Sequence, residues 1–161
     1  MNEGIGLMRF TRLLFASQLL CLPLIAHASE VNLAKFFNHY PFEEVAGETF
    51  DGNEAVQRVV RTALSSSKLE STVLKDLSVV VPIDGVDGYM QSRACEAHNC
   101  GDHNRVIAVK IDGSKGAVCY YNAAVASNPR WFVDGVIVYE QPTGDCETGR
   151  LASPVMEALM G

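Results

Sequence analysis

Four cysteines, Cys95, Cys100, Cys119 and Cys146, constrain the fold of this chain more than any other residues, provided that they meet an oxidising compartment. The N-terminus bears on that condition. Arg9 and Arg12 precede an apolar run over 13–25, and Ala26-His27-Ala28 closes it. A basic start, a short apolar stretch and an A-x-A site mark a secretory signal peptide, so residues 1–28 are expected to be removed after Ala28. The run is too short for a bilayer, which takes about 20 residues. Leu20 stands where a small residue should precede a lipidated Cys21. The mature chain, residues 29–161, is therefore expected to be exported, soluble and free of the membrane.

In an oxidising compartment an even set of cysteines reads as disulfides, and four allow three connectivities. The spacing favours Cys95–Cys100 and, by elimination, Cys119–Cys146. Closing the short ring stabilises the fold by roughly 2 kcal/mol and closing the longer loop by roughly 3.5 kcal/mol on chain-entropy grounds. The short ring fixes mainly its own shape, around Glu96, Ala97, His98 and Asn99. The competing reading, a zinc cluster of Cys95, His98, Cys100 and His103, lacks the C-x-x-C or H-x-x-x-H pairs of structural zinc sites. No metal and no cofactor are expected.

Without residues 1–28 the chain keeps 11 basic and 18 acidic residues, a net charge of −7. Such a surface argues against nucleic acid and anionic lipid, which reward clustered Lys and Arg. It favours a basic partner, chiefly through faster encounter. The mature length suits one domain with a real core.

Periodicity predicts an α+β domain: an antiparallel β-sheet, a few short flanking helices and a disulfide-closed protruding loop. Asp51 and Glu54 offer a capping signal. Behind them Val56, Val59, Val60, Ala63 and Leu64 recur at helical spacing, predicting a helix to about Ser66. Leu33, Phe36 and Phe37 suggest a short helix before Pro41, and Pro154 to Met160 another at the end. Between them lie strand-like segments at 79–81, 89–93, 105–111, 117–121, 131–133 and 136–139. Asp84-Gly85, Asp87-Gly88, Asp112-Gly113 and Asp134-Gly135 are read as turns. Trp131 is expected in the core, His39 at the surface, and His103 as a solvated turn residue.

The ring thus sits between two strands. Tyr89-Met90-Gln91-Ser92-Arg93-Ala94-Cys95-Glu96-Ala97-His98-Asn99-Cys100-Gly101, followed by Arg105-Val106-Ile107-Ala108-Val109, resembles the inhibitor of vertebrate lysozyme (Ivy) family. Members carry a strand, a disulfide-closed C-x-x-H-[DN]-C-G loop, and a second strand beginning in an R-x-A-V-like pattern. The resemblance covers about the middle third of the mature chain. It implies a periplasmic proteinaceous inhibitor of c-type lysozyme, with His98 entering the active-site cleft and Glu96, Ala97 and Asn99 as neighbouring target-binding residues. It also admits a homodimer. The family loop usually carries a basic residue after the first cysteine and an aspartate before the second; Glu96 and Asn99 depart from both. Cys119 and Cys146 lie outside the family pattern.

Two alternatives stand beside this reading. The same ring could plug the peptidoglycan-cleaving cleft of an endogenous lytic transglycosylase, or the domain could be a periplasmic binding or structural module without lysozyme inhibition. Enzymatic readings are weaker, and no enzyme is expected. No G-x-S-x-G elbow, H-E-x-x-H pair, Walker loop or dinucleotide fingerprint occurs. A Cys–His hydrolase would need a free thiol at Cys95 or Cys100.

Overall fold

The computed structural model describes Met1 and residues 30–142 and 144–161; the expected signal peptide, with Cys21 and the expected cleavage site, lies outside the described residues apart from Met1. Among the described residues, seven strands form one antiparallel sheet. They are β1 (Val79–Val80), β2 (Asp84–Val86), β3 (Tyr89–Cys95), β4 (His103–Lys110), β5 (Gly116–Asn122), β6 (Arg130–Val133) and β7 (Val136–Glu140). From β3 to β7 each strand pairs with the next in chain order, while β1 and β2 share the outer edge of β3. The α+β expectation is met.

The central strands are buried along nearly their whole length, because both faces of the sheet are covered. On one face, Ile107, Val109, Val118 and Phe132 pack with Val56, Val59 and Val60 of α1 (Glu54–Ala63). On the other, Val106, Ala108, Cys119 and Trp131 pack with Val155 and Leu159 of α2 (Ser153–Met160). Trp131 is core, as expected. Successive side chains point to opposite faces, so His103, Arg105, Ile107 and Val109 face α1 while Asn104, Val106 and Ala108 face α2. Gly116 lets α1 press close: a Cβ there would stand 2.5 Å from Val59 Cγ1 and 2.3 Å from the Ala108 carbonyl oxygen.

Three of the four Asp-Gly turns follow the sequence reading, Asp112-Gly113 between β4 and β5 among them, and one does not. Asp87-Gly88 (φ 51° and 83°) and Asp134-Gly135 (φ 47° and 78°) are two-residue hairpin turns with both residues in the left-handed region. That is the conformation type I′ turns require. Asp84-Gly85, read as a turn, instead opens β2, where Asp84 pairs with Gln91 and Gly85 with Met90. The Asp87-Gly88 turn sets that register and draws the preceding residues into the sheet.

Helix α1 begins and ends differently from the expectation. Its N-cap is Asn53, whose Oδ1 accepts from the Ala55 amide at 2.9 Å and the Val56 amide at 3.4 Å. Asp51 is not the cap, because its carboxylate is engaged in the interior. The helix stops at Ala63, where Ser65, Ser66 and Ser67 follow. Ser67 Oγ donates to the Leu64 carbonyl, and Ser66 Oγ donates to that of Gly135. Short hydroxyl side chains compete in this way with the helical ladder. The N-terminal helix is a single 3-10 turn, Leu33–Phe36, and Phe37 is exposed.

Both expected disulfides are present, Cys95–Cys100 and Cys119–Cys146. The longer one is fully buried among the α2-face residues and joins β5 to the segment before α2. Replacing Cys119 and Cys146 by serine is therefore expected to lower the melting temperature more than replacing Cys95 and Cys100. The chain-entropy difference alone is about 1.5 kcal/mol, and the first change also places two hydroxyls in an apolar interior. Thermal unfolding of the two double variants checks the order.

Candidate functional site

The ring is a continuation of the β3–β4 hairpin. Cys95 is the last residue of β3 and pairs with Asn104. Beyond it the Glu96 amide donates to the His103 carbonyl at 3.0 Å, carrying the ladder one bond further. The chain then reverses tightly: the Asn99 amide donates to the Glu96 carbonyl at 3.1 Å, and the His103 amide to that of Asn99 at 2.9 Å. The Cys95–Cys100 bond closes the base of this reversal.

Asn104, a residue that sequence reasoning missed, anchors the ring from below. It is wholly buried, and its Nδ2 donates to the Cys100 carbonyl at 2.7 Å. Its Oδ1 accepts from the Cys146 amide at 2.9 Å. One side chain thus links the exposed ring to the strand of chain that carries the buried disulfide. Arg93, from β3, reinforces that segment by donating from Nε to the Cys146 carbonyl at 2.9 Å and by pairing with Asp145.

Arg105, the next residue along β4, is fully buried on the opposite face. Its guanidinium donates to Asp51 Oδ2 at 2.6 Å, to the Ser92 carbonyl at 2.9 Å, to Ser92 Oγ at 2.7 Å and to the Val73 carbonyl at 3.1 Å. Burial pushes the Asp51 carboxyl above its ordinary value, against the opposing pull of Arg105. This pair locks the segment before α1 to the strand that leaves the ring. Only the spacing of hydrophobic strand residues around Arg105 hinted that a charge was pointing inward.

At the tip, Glu96, Ala97 and His98 are exposed and Asn99 is half-buried. His98 sits at φ 64°, a left-handed conformation that histidine enters more readily than most residues. Among the described residues its imidazole has no hydrogen-bond or ion-pair partner. Asn99 does not orient it: the Asn99 Nδ2 donates to Glu96 Oε2 at 2.7 Å instead. The same oxygen lies 3.1 Å from His103 Nδ1. His103 is therefore not a solvated turn residue. It is the first residue of β4, with only 14% of its side chain exposed. Its Nε2 lies 3.0 Å from the Tyr120 hydroxyl, and the two rings meet edge to face at 5.7 Å. The alternation that includes Arg105, Ile107 and Val109 places it there.

The Asn99 amide, followed by His103, holds the Glu96 carboxyl below its ordinary 4.5. A folded-state value below the unfolded one means that these ties are fully present above 4.5 and are lost as pH falls through the folded value. Titration of the Glu96 carboxyl carbon by NMR is expected to give a midpoint below 4.5, and Asn99→Ala should move it upward.

Cys95 and Cys100, bonded to each other, are unavailable as metal ligands or nucleophiles. Among the described residues no group of three or more His, Cys, Asp or Glu side chains could hold a metal ion, and no helix is long and apolar enough to cross a membrane. His39, expected at the surface, lies there partly exposed and pairs with Glu43 at 2.8 Å.

A cross-linked loop thus projects from a sheet that is covered on both faces. Residues 55–131, which include all of α1 but its first residue, the whole ring and strands β3 to β5, match the family model described as inhibitor of vertebrate lysozyme (Ivy). Ivy is a family of periplasmic inhibitors. The matched region contains Cys119 but stops before Cys146 and α2. No curated protein and no solved structure gives a significant match.

Proposed function

We propose that this protein inhibits c-type lysozyme by inserting the ring 95–100 into the active-site cleft, where His98 occupies the two catalytic carboxyl groups. The observation that carries the reading is the unpartnered His98 imidazole at the tip of a ring pinned at its base by a disulfide and by Asn104. Lysozyme is a retaining glycosidase whose carboxyl groups lie about 5–5.5 Å apart. An imidazole has two nitrogens on different sides of one small ring, and as the cation it donates from both. It can therefore bridge the pair and exclude sugar without covalent chemistry. Because the ring is closed and bonded beforehand, little ordering cost remains at binding.

The net charge of −7 after loss of residues 1–28 favours encounter with a basic enzyme. Export to the periplasm, with cleavage after Ala28, belongs to the same reading. The test is a residual-activity assay of the purified mature protein against a c-type lysozyme and, in parallel, an endogenous lytic transglycosylase. Dose-dependent loss of lysozyme activity is the expected result. Full lysozyme activity at saturating protein would overturn the proposal, and inhibition of the transglycosylase alone would reassign the target.

A further inference from the structure

A carboxylate beside His98 is at odds with an acidic target, since Glu96 would bring a third negative charge toward two others. The hairpin contains the answer. Glu96 Oε2 takes two ties, from Asn99 Nδ2 at 2.7 Å within the ring and from His103 Nδ1 at 3.1 Å on the sheet. His103 is itself gripped from behind. Tyr120, buried in the α1-face core, meets Nε2 with its hydroxyl at 3.0 Å, and the two rings stand nearly perpendicular.

We infer that His103 is a positioning residue of the ring, which draws the Glu96 carboxylate back against the sheet so that His98 leads into an acidic cleft. The arrangement works in either charge state of His103. Neutral, it donates from Nδ1 to Glu96 and accepts at Nε2 from Tyr120; as the cation it donates to both. Its ring is fixed by Tyr120 in each case, so its hold on Glu96 does not depend on the partner. Releasing Glu96 does two things at once. It frees a negative charge to swing toward the tip, and it removes a side-chain brace from the 96–99 reversal.

This inference rests on the inhibitor reading, so its test has one arm with lysozyme and one without. In the first arm, His103→Ala is expected to weaken inhibition about tenfold, the scale of a lost hydrogen bond to a charged group. His103→Asn, whose amide nitrogen falls near the position of Nδ1, should retain most of the potency. Adding Glu96→Gln to His103→Ala should restore most of the loss, because the released side chain then carries no charge. Combining His103→Ala with His98→Ala should be little worse than His98→Ala alone, since both changes act through one contact. Unchanged inhibition by His103→Ala, or a loss that Glu96→Gln leaves in place, would overturn the inference.

The second arm uses the free protein. The Asn99 amide, which closes the reversal, should exchange with solvent about tenfold faster in His103→Ala if the brace contributes on the same scale. Equal exchange in the two proteins refutes the positioning role whether or not the wild type inhibits lysozyme. Faster exchange in a protein that inhibits nothing would leave the positioning intact and discard the inhibitor reading.

Discussion

His98→Ala is expected to raise the inhibition constant against c-type lysozyme by well over tenfold while leaving the melting temperature nearly unchanged. A buried, charge-assisted contact at the centre of an interface typically costs about 2 kcal/mol or more when truncated, whereas rim contacts cost little. The folded protein loses nothing comparable, because among the described residues the imidazole has no hydrogen-bond or ion-pair partner. A companion variant separates side chain from backbone. His98→Gly relieves the left-handed conformation at φ 64°, so it should be at least as stable as wild type and equally defective. An inhibition constant that barely moves in both variants would remove the histidine plug from the mechanism, even if the protein remains an inhibitor.

Asp51→Ala should be the most destabilising single change outside the apolar core. It strips the fully buried Arg105 guanidinium of its only carboxylate partner among the described residues. Breaking a buried pair by removing one member costs about 3–5 kcal/mol, because the surviving charge is left uncompensated. For a domain of this size that corresponds to a fall in melting temperature of roughly 10 °C or more. Replacing both residues by apolar ones, Asp51→Leu with Arg105→Met, should recover much of the loss, since the pair as a whole contributes far less than its rupture costs. Thermal unfolding of the three proteins decides the matter. A shift of only a degree or two in Asp51→Ala would mean that solvent or another group compensates Arg105.

Local chemistry made much of this architecture legible in advance. The β-turns at Asp87-Gly88 and Asp134-Gly135, the apolar stripe of α1 and both disulfides follow from residue types and spacings that act over short distances. What sequence reading missed are polar groups whose roles depend on contacts across the fold. Asp51 carries every mark of a helix cap, yet its partner Arg105 lies on a strand 54 residues away. Asn104 reads as an ordinary loop residue until Cys146 comes beneath it. His103 looks like part of the turn because nothing local reveals that Tyr120 stands opposite. The ring itself was legible because its two cysteines and its histidine lie within one short segment. The inward turn of Glu96 was not, because the strand that holds it is set by pairing with β5.

The order of strands carries a consequence for how the protein matures. Because β3 and β4 are neighbours in the chain as well as in the sheet, their hairpin alone brings Cys95 and Cys100 together. Hairpins of this kind form within about 1–10 μs, far faster than thiols oxidise. Cys119 is different: it meets Cys146 only after β5, β6 and β7 have stacked and the chain has crossed back beneath the sheet. Oxidative refolding should therefore pass through a species with one bridge, and that bridge should be the ring. The element that faces the outside world would then be finished first, and the interior sealed last.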